Sequence, residues 1–418
     1  MDFVKMLQDK HCDCGMVHSC SIKHILIGSD VLPKYIPLLA DYQKILLVAD
    51  TNTYAVFGKQ VEAALAGKLE NVLVYVRDGL LVPNEEAVAE MQAKLTPDTE
   101  LIVGVGSGVI QDLCKYVSFQ ADLPYHIIAT APSMDGYASK GAAMIMENMK
   151  ITYNARVPEA IIGDSDILKD APMEMFQSGY GDILGKYSCL NDWKLSRVVN
   201  GEYFCQYVYD LTYEMLTKTK DLGPKLLERD ADAMATLMEA LVGVGIAMAY
   251  VGNSRPASGS EHHLSHFFEI TGILEDAPYF MHGTDVVYSA VYTQKIREEL
   301  LKMDAPAVHQ LPSKEEWETN IRRVYGIAAD GVIALQNKLG WYEIDRLPVY
   351  QEKWAEIKEV LSEVPSSEKL TEYVTSVGLD IAEYERLYGQ KKIQDAVLYA
   401  KDLKDRYTVL WMYYDLMA

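Results

Sequence analysis

Apolar runs and helix-like segments alternate along the first part of the chain. Five runs are continuous enough to be buried parallel strands, at residues 24–28, 44–50, 71–78, 100–106 and 124–132. The segments between them have apolar residues at helical spacing, at residues 31–42, 55–68, 84–95 and 107–116. Strands that alternate with helices predict a parallel α/β sheet over roughly residues 20–165.

The pattern changes after residue 168. From there onward helical periodicity dominates, with breaks at residues 223–224, 272–278, 311–313 and 365–367. A chain of 418 residues is also too long for one hydrophobic core. We therefore expect a Rossmann-like α/β domain with a parallel sheet over 1–168 and an all-α domain over 169–418. A cleft between two such domains is where a ligand is expected to bind.

Composition narrows the classes of function. With 49% hydrophobic and 24% charged residues, the chain has the composition of a soluble globular protein. We find no uninterrupted run of about 18 apolar residues and predict no membrane span. The first residues lack the apolar segment of a signal peptide, which favours the cytoplasm. The net charge of −21 disfavours nucleic acids and anionic membranes as partners, so an anionic substrate would need a local positive site.

Three of the six cysteines lie close together near the start of the chain. In a cytosolic protein the six cysteines are expected to be thiols rather than disulfides. The segment CDCGMVHSC offers Cys12, Cys14, His18 and Cys20 as ligands for zinc. Their spacing is tighter than the usual two pairs of zinc ligands, so a capping segment with buried thiols is the favoured alternative.

A glycine-rich turn follows the predicted strand 100–106. Gly104 and Gly106 precede a predicted helix, and Gly108 lies in its first turn. Glycine there lets the backbone approach a pyrophosphate, and the helix N-terminus offers free N–H groups. The spacing is not that of the usual dinucleotide fingerprint, and a tight turn without a ligand is the alternative. Asp50 ends another strand and could accept hydrogen bonds from a ribose, or could equally cap the next helix.

The loop at residues 129–141, ATAPSMDGYASKG, is rich in short polar side chains. Thr130, Ser133, Asp135, Tyr137 and Ser139 lie around a proline and a glycine. A plain turn does not need so many hydroxyl groups, so we expect this loop to face a ligand.

Histidines concentrate between residues 255 and 282. His262 and His266 are four residues apart and would share one helix face, and His282 follows after a loop-like segment. With Asp182, the imidazoles of His262 and His282 would leave an open position on a divalent metal. Asp182 could instead cap its helix or pair with Lys186, and His263 could replace His262.

The order of these motifs is similar to that of a known family. The chain has GxGSGxxxDxxK, then TAPSxDGYAS, GDxLxK, RPASGSEHxxSH and HG, and it resembles the sn-glycerol-1-phosphate dehydrogenases. That family belongs to the superfamily of iron-containing alcohol dehydrogenases and dehydroquinate synthase-like enzymes. The likeness extends from about Cys12 to Gly283, and it is most specific in the second and fourth motifs.

The resemblance implies an activity and a set of site residues. The expected activity is the metal-dependent interconversion of dihydroxyacetone phosphate and sn-glycerol 1-phosphate with NAD(H) or NADP(H). It implies a metal at Asp182, His262 and His282, and it implies substrate at Asp135, Asp182 and His266. Nicotinamide cofactor contacts are implied for Asp50, Gly106, Ser107, Gly108, Val109, Ile110, Thr130, Ala131, Pro132, Ser133 and Ser139.

Other expectations rest on chemistry and base rates. Arg255 and Lys186 are our candidates for binding the substrate phosphate, because the protein is otherwise acidic. His266, one turn beyond His262, could bind the second hydroxyl or relay its proton, or could be a packing residue. Zinc is expected first as the metal, with nickel or iron as alternatives. A homodimer is expected because it is the commonest oligomer.

Three functions compete on this sequence. The first is the dehydrogenase just described. The second keeps the fold and changes the reaction, to a glycerol or other alcohol dehydrogenase or to a dehydroquinate synthase-like cyclase. A cyclase of this kind is expected to have a cluster of Lys and Arg residues around its substrate, and the sequence near Asp182 lacks such a cluster. The third, a non-enzymatic zinc- or nucleotide-binding protein, would be favoured by a broken ligand set, and none of the motif positions is broken.

Overall fold

The computed structural model describes residues 1–146, 149–307 and 311–417. The strands in this part of the chain are β1 (Lys10–His11), β2 (Val17–His18), β3 (His24–Gly28), β4 (Ile45–Asp50), β5 (Leu69–Tyr75), β6 (Leu101–Gly106), β7 (Tyr125–Ala129), β8 (Gly141–Met146), β9 (Met149–Asn154) and β10 (Ala160–Asp164).

Helices follow the strands and then dominate the chain. The helices up to residue 200 are α1 (Phe3–Met6), α2 (Leu32–Tyr35), α3 (Thr51–Thr53), α4 (Lys59–Leu65), α5 (Glu85–Gln92), α6 (Gly108–Gln120), α7 (Ser165–Leu168), α8 (Met173–Leu184) and α9 (Lys186–Asn200). The later ones are α10 (Gln206–Thr219), α11 (Gly223–Leu227), α12 (Ala231–Val251), α13 (Ser260–Glu275), α14 (His282–Leu301), α15 (Lys314–Tyr325), α16 (Ala329–Leu339), α17 (Leu347–Leu361), α18 (Ser367–Ser376), α19 (Ile381–Tyr399) and α20 (Val409–Met417). Short 3-10 segments lie at Ile36–Leu39, Asp135–Ala138, Gly326–Ala328, Trp341–Glu343 and Ala400–Leu403, and a π-helical turn at Tyr54–Gly58.

The chain divides into two compact units. The sheet unit comprises Met1–Tyr180 and Pro224–Gly252, and the helical unit comprises Gly181–Gly223 and Asn253–Ala418. This division does not coincide with the predicted limits of 1–168 and 169–418. One difference is that the sheet unit continues beyond residue 168 to Tyr180. The other is α12, which packs against β3, β10, α7 and the 3-10 segment Asp135–Ala138 and therefore belongs with the sheet.

The sheet unit is built on six parallel strands in the order β3-β10-β7-β6-β4-β5. The middle residues of the four inner strands are fully buried, as the continuous apolar runs predict, because helices cover a parallel sheet, whereas the edge strands β3 and β5 are partly exposed. From β4 the chain adds β5 on one side and later β6 on the other. The carboxyl ends of β4 and β6 therefore flank the point where strand order reverses, which is where open α/β sheets bind ligands.

Most of the predicted strands and helices are present, and the differences have local causes. The five predicted strands correspond to β3, β4, β5, β6 and β7. The helix expected over 31–42 is a short α-helix followed by a 3-10 segment, and Pro37 lies where an amide would continue the helix. Strand β10, which completes the sheet, and the antiparallel pair β8–β9 were not predicted.

The helical unit has α13 and α14 packed against each other. Helix α9 lies against both, and α17 packs on α9. A short connection, 276–281, joins α13 to α14, and it begins at Asp276 in the left-handed conformation with φ +51°. This connection brings the N-terminus of α14 back toward the first half of α13, where the predicted histidines are.

One helix is long and apolar enough to cross a membrane by length and composition. This is α12, with a mean hydropathy of 1.7 over its most apolar 18 residues. Thr236 and Glu239 interrupt the apolar residues of this helix, so it is not the uninterrupted apolar run that our prediction excluded. The structure buries 67% of that stretch, as expected for a core helix, and its neighbours are strands and helices of the sheet unit.

Candidate functional site

Three helix segments of the helical unit bring the predicted metal ligands together. Asp182 lies near the end of α8, His262 in the first turn of α13, and His282 is the first residue of α14. Ligand atoms of the three side chains all lie within 4.8 Å of one another. His262 Nε2 is 3.6 Å from Asp182 Oδ1, and the rings of His262 and His282 are 5.1 Å apart between centroids. The structure thus places the predicted carboxylate and two imidazoles as one group.

A glycine beside Asp182 sets the distance between two of these helices. A Cβ at Gly181 would lie 2.3 Å from the carbonyl oxygen of Gly283, the residue after His282. Only glycine lets α8 approach the N-terminus of α14 this closely. The motif residue Gly181 therefore helps to bring the carboxylate and His282 together.

Asp182 is held as a carboxylate by its neighbours. Burial would favour the neutral acid, but Lys186, His262 and His282 outweigh it and hold the pKa of Asp182 well below its usual range. Lys186 Nζ donates to Asp182 Oδ1 at 2.8 Å and to the carbonyl of Ala257 at 3.0 Å. This is the pairing that the sequence offered as an alternative for Lys186, and it positions the carboxylate.

His262 is positioned by a carboxylate that we did not predict. Its Nδ1 is 2.6 Å from Glu261 Oε1, an oxygen that also accepts from the backbone N–H of Gly259. Glu261 is fully buried, and burial raises its pKa. Burial, together with Lys186 and His282, lowers the pKa of His262 well below its usual value, so the ring is neutral. A carboxylate on Nδ1 leaves the Nε2 lone pair directed at the group, as in carboxylate–histidine–metal arrangements.

The remaining histidines of the stretch separate into two roles. His266 lies one turn after His262, with its ring 5.6 Å from that of His282. Ligand atoms of His266, Glu269 and His282 also lie within 4.8 Å of one another. His263 is fully buried and is not in either group, and burial lowers its pKa. His262 rather than His263 therefore lies with the other predicted ligands.

The donor set fits a divalent metal ion. It consists of an ionised carboxylate and a neutral imidazole, with a second imidazole half-buried beside them. One carboxylate and two imidazoles match three-ligand sites that keep a position open for substrate. Glu261 supplies the outer hydrogen bond that such histidine ligands usually have.

The predicted nucleotide residues gather at one edge of the sheet unit. Gly106 ends β6, Ser107 is the N-cap of α6, and Gly108, Val109 and Ile110 form the first turn of that helix. Residues Thr130, Ala131, Pro132 and Ser133 follow β7, which pairs with β6, and Ser139 ends the next 3-10 segment. The amide of Thr130 donates to the carbonyl of Gly106 at 3.1 Å, so the two loops begin side by side.

Asp50 caps a helix. Its Oδ1 accepts from the amides of Asn52 and Thr53, both at 2.9 Å, and Thr53 completes a capping box. The alternative that the sequence left open is therefore what the structure contains. The carboxylate is half-buried at the carboxyl end of β4, beside β6. A role toward a ribose stays a prediction.

A buried lysine fixes the loop that contains Asp135. Lys115 in α6 donates to the carbonyls of Gly136 and Gly141 at 3.1 and 2.7 Å. Asp112 lies 3.6 Å from the same ammonium. The last two polar positions of the GxGSGxxxDxxK motif thus tie α6 to the loop after β7. Asp135 itself is buried in that loop, 9% exposed, at the start of its 3-10 turn.

Arg255 has a different partner from the one expected. Its guanidinium makes a bidentate pair with Glu202, at 2.9 and 2.7 Å, and donates to the carbonyl of Tyr407. It lines a cavity of about 440 Å³ together with Lys404 and Arg406. The Lys404 ammonium contributes to lowering the pKa of His262. Positive charge near the candidate metal group therefore comes partly from the last residues of the chain.

Sequence reasoning missed three residues that the structure places at the site. Glu261 adjoins His262 in the motif SGSEH, and Glu269 is three residues after His266, so helical spacing could have indicated both. Lys404, whose ammonium donates to Ser258 Oγ at 3.2 Å, has no local signal, because 146 residues separate the two partners.

Comparison with known proteins gives a family. A model of the family described as iron-containing alcohol dehydrogenase matches residues 27–172. The glycerol-1-phosphate dehydrogenase [NAD(P)+] of Halalkalibacterium halodurans is 34% identical over 302 residues, which cover 69% of this chain and 75% of that protein. The enzyme of the same name from Bacillus licheniformis is 28% identical over 406 residues, covering 96% of this chain and 90% of the relative. The similarity thus extends through the C-terminal helices.

Solved structures agree on the fold. An alcohol dehydrogenase from Oenococcus oeni superimposes with a TM-score of 0.59 at 14% identity, over 93% of this chain and 94% of that chain. Identity this low shows a shared fold and nothing finer. The arrangement is a parallel α/β sheet followed by a largely helical part, as the sequence predicts.

Proposed function

Because this chain belongs to the glycerol-1-phosphate dehydrogenase family, we propose that it interconverts dihydroxyacetone phosphate and sn-glycerol 1-phosphate by hydride transfer with NAD(H) or NADP(H). The observation that carries the proposal is the group of Asp182, His262 and His282, which has the donor chemistry of a metal site with an open position. The enzyme is an oxidoreductase that acts on a small substrate, and the reaction needs a divalent metal.

In this proposal Asp182, His262 and His282 hold the metal, with zinc first and nickel or iron as alternatives. A divalent cation held there supplies Lewis acidity toward the oxygen at C2 of the substrate. Lys186 keeps Asp182 ionised, and Glu261 fixes the ring of His262 so that Nε2 is available. Metal binding and ligand orientation are thus properties of the helical unit alone.

We propose that His266 contacts the substrate. Its ring is next to that of His282, at 5.6 Å, and it is half-buried. An imidazole there could accept or return the hydroxyl proton, which is the usual task of histidine at neutral pH. Asp135, in the loop after β7, is our second candidate for hydrogen bonds to the substrate hydroxyl groups.

The nicotinamide cofactor is assigned to the sheet unit. The first turn of α6, residues 108–110, with Gly106 and Ser107 before it, offers backbone N–H groups to a pyrophosphate. Residues 130–133 and Ser139 are assigned to the nicotinamide half, and Asp50 to a ribose. A carboxylate at the ribose would favour NADH over NADPH.

The substrate phosphate requires a cation in a protein of net charge −21. Arg255 and Lys186 are the predicted candidates, but each is engaged with a carboxylate, Glu202 and Asp182 respectively. We add Lys404, which is half-buried and whose ammonium donates to Ser258 Oγ at 3.2 Å, four residues before His262. A charge-assisted hydrogen bond to phosphate contributes about 1.5–3 kcal/mol.

The main test is an oxidation assay. Metal-loaded protein is given dihydroxyacetone phosphate with NADH or NADPH, and loss of the reduced nicotinamide absorbance is followed with and without chelator. We expect turnover that chelation stops and metal restores, and no oxidation of sn-glycerol 3-phosphate. Absence of turnover in the metal-loaded protein contradicts the proposal. Glycerol or a simple alcohol turned over as well as sn-glycerol 1-phosphate would indicate the alternative of an alcohol dehydrogenase with the same fold.

The phosphate assignment has its own test. Lys404→Gln should lower kcat/KM for dihydroxyacetone phosphate by roughly 10-fold or more, mainly through KM. Lys392→Gln, which removes a half-buried lysine paired with Glu275, is the matched control. Equal kcat/KM values for the two variants would contradict the assignment of Lys404 and would indicate that Arg255 or Lys186 binds the substrate phosphate.

The remaining proposals concern the setting of the enzyme. We propose a homodimer, as the commonest oligomer, and light scattering after size exclusion tests it. We propose a cytoplasmic location, which fits six cysteines that are thiols in the structure. Cell fractionation with an antibody to the protein tests the location.

A further inference from the structure

A small hairpin near the start of the chain brings two cysteines, Cys12 and Cys14, close to the histidine His18. Strands β1 and β2 are antiparallel, with Lys10 opposite His18 and His11 opposite Val17. In the connecting turn the amide of Cys12 donates to the carbonyl of Met16 at 3.1 Å, and the amide of Gly15 to the carbonyl of Cys12 at 3.0 Å. Gly15 has φ +86°, which glycine adopts without strain. This turn fixes the cysteines beside the strand that contains His18.

The three side chains are spaced like ligands of one ion. Their ligand atoms, from Cys12, Cys14 and His18, lie within 4.8 Å of one another. Cys14 Sγ is 3.4 Å from His18 Nε2. On a tetrahedral zinc ion with Zn–S of about 2.3 Å and Zn–N of about 2.0 Å, a sulfur and a nitrogen would be about 3.5 Å apart. The observed separation matches this value.

A hydrogen bond at the other nitrogen of His18 indicates which ring atom would bind an ion. His18 Nδ1 is 3.0 Å from the carbonyl oxygen of Tyr250, at the end of α12 in the same unit. A carbonyl can only accept, so Nδ1 bears the hydrogen and the Nε2 lone pair points toward Cys14. Metal-binding histidines commonly use a backbone carbonyl in this way. His18 is fully buried, so the hydrogen bond holds the ring in place.

The hairpin is too small to be stable by its own hydrogen bonds. Each strand has two residues, and even longer isolated hairpins are marginal in water. A metal ion that joins the turn to β2 would close the hairpin, as in small domains that depend on zinc. The ring of His18 also packs on that of Tyr250, at 5.3 Å between centroids, which links the hairpin to α12.

We propose that Cys12, Cys14 and His18 bind a structural zinc ion. Two thiolates and one imidazole suit zinc, and they supply three of the four ligands of a tetrahedral centre. The site has no ligand in common with Asp182, His262 and His282, whose donors are oxygen and nitrogen only. The sequence offered Cys20 as a fourth ligand, but Cys20 is outside the group that the structure brings together.

Cobalt(II) substitution tests the site on the complete protein. Cobalt bound by thiolates has an intense near-ultraviolet charge-transfer band, whereas cobalt bound only by carboxylate and imidazole lacks it. We expect the band in the wild type and in Asp182→Asn, and its loss in Cys12→Ser and Cys14→Ser. The wild-type spectrum needs no variant to fold, and a wild type without the band overturns the proposal.

Metal content gives a second, independent measure. Zinc per chain, determined by elemental analysis after dialysis, should fall by about one ion in Cys12→Ser,Cys14→Ser relative to the wild type. Cys20→Ser is the matched control and should keep both the zinc and the cobalt band. Loss of the band in Cys20→Ser, or unchanged zinc in the double variant, contradicts the assignment. A Cys12–Cys14 disulfide in the freshly purified protein, detected by mass spectrometry, also contradicts it.

Discussion

At the scale of single residues, the candidate metal group depends on carboxylates in two different positions. Asp182 faces the group directly and stays ionised because Lys186 and two imidazoles surround it. Glu261 acts through His262, because its Oε1 is 2.6 Å from Nδ1 of that ring. One carboxylate would bind the ion, and the other would orient a ligand of the ion.

Replacing Glu261 tests this division. Glu261→Gln keeps the shape of the side chain and removes its charge, so affinity for the catalytic metal should fall about 10–100-fold. The measurement is competition with a chelator, followed through recovery of turnover. Glu275→Gln, at the other end of α13, removes an exposed pair with Lys392 and should have no effect. Equal affinities in the two variants would show that Glu261 does not support the metal ligand.

A buried histidine of the sheet unit predicts a dependence of stability on pH. The pKa of His126 is lowered to about 4, mainly by burial. The Glu159 carboxylate partly offsets this shift, and His24 and Lys23 add to it. Nδ1 of His126 is 3.0 Å from the hydroxyl of Tyr35. His126 binds a proton more tightly in the unfolded chain than in the folded protein. Its contribution to the free energy of unfolding is therefore present above the ordinary histidine pKa and is lost as the pH falls toward 4.

The size of the effect follows from the shift. At about pH 5 the folded protein should be less stable by about 2 kcal/mol than at about pH 7.5 through this residue alone. Urea unfolding of the wild type and of His126→Gln, which retains an acceptor for Tyr35, measures the difference. The variant should lose less free energy of unfolding across this range. Parallel profiles for both proteins would mean that His126 does not contribute.

At the scale of secondary-structure elements, the separation of α8 and α14 sets the metal group. Gly181→Ala would place a Cβ 2.3 Å from the carbonyl oxygen of Gly283, so the two helices must move apart. Overpacking of this kind costs about 1–3 kcal/mol, and here it would displace His282 from Asp182. We expect weaker metal binding as well as a lower melting temperature.

Gly331→Ala is the control for that substitution. Gly331 is exposed in α16 and a Cβ there would meet nothing within 4 Å, so alanine should stabilise that helix by up to about 1 kcal/mol. Chelator competition and thermal unfolding are measured on both variants. Unchanged metal affinity in Gly181→Ala would show that the helices can adjust without moving the ligands.

The same elements show how far sequence reasoning reaches. Continuous apolar runs identified β4, β6 and β7, because strands buried on both faces leave that signature. The pair β8–β9 was missed, since β8 consists of glycine, alanine, methionine and one isoleucine, which have little strand preference apart from the last. The local pattern of a segment can predict a strand or a helix. It does not show which distant segment that strand pairs with, and this requires the structure.

Sequence reasoning likewise predicts only part of the candidate site. The pair His262 and His266 is visible from helical spacing alone, whereas Asp182 is a weak signal by itself and its role follows from the family resemblance. The engagement of Arg255 by Glu202 is not visible, because 53 residues separate the partners. Sequence therefore predicts which residues carry chemistry better than it predicts what each of them contacts.

At the scale of the whole molecule, the two ligands of the proposed reaction are assigned to different units. The predicted metal ligands, Asp182, His262 and His282, belong to the helical unit, and the predicted nucleotide residues belong to the sheet unit. Changes that share no contacting residues are expected to act independently, within about 0.5 kcal/mol. Metal loss and nucleotide loss should therefore be separable by substitution.

Asp182→Asn should lose the catalytic metal and turnover, and its Kd for NADH should stay within about threefold of the wild type. Gly108→Asp should do the reverse, because a carboxylate at the N-terminus of α6 would repel a pyrophosphate while a Cβ there meets only Met134, at 3.4 Å or more. Nicotinamide fluorescence measures the Kd for NADH, and elemental analysis measures the metal content. If Asp182→Asn no longer bound NADH, the nucleotide site would depend on the metal ligands, and the assignment of each ligand to one unit would be wrong.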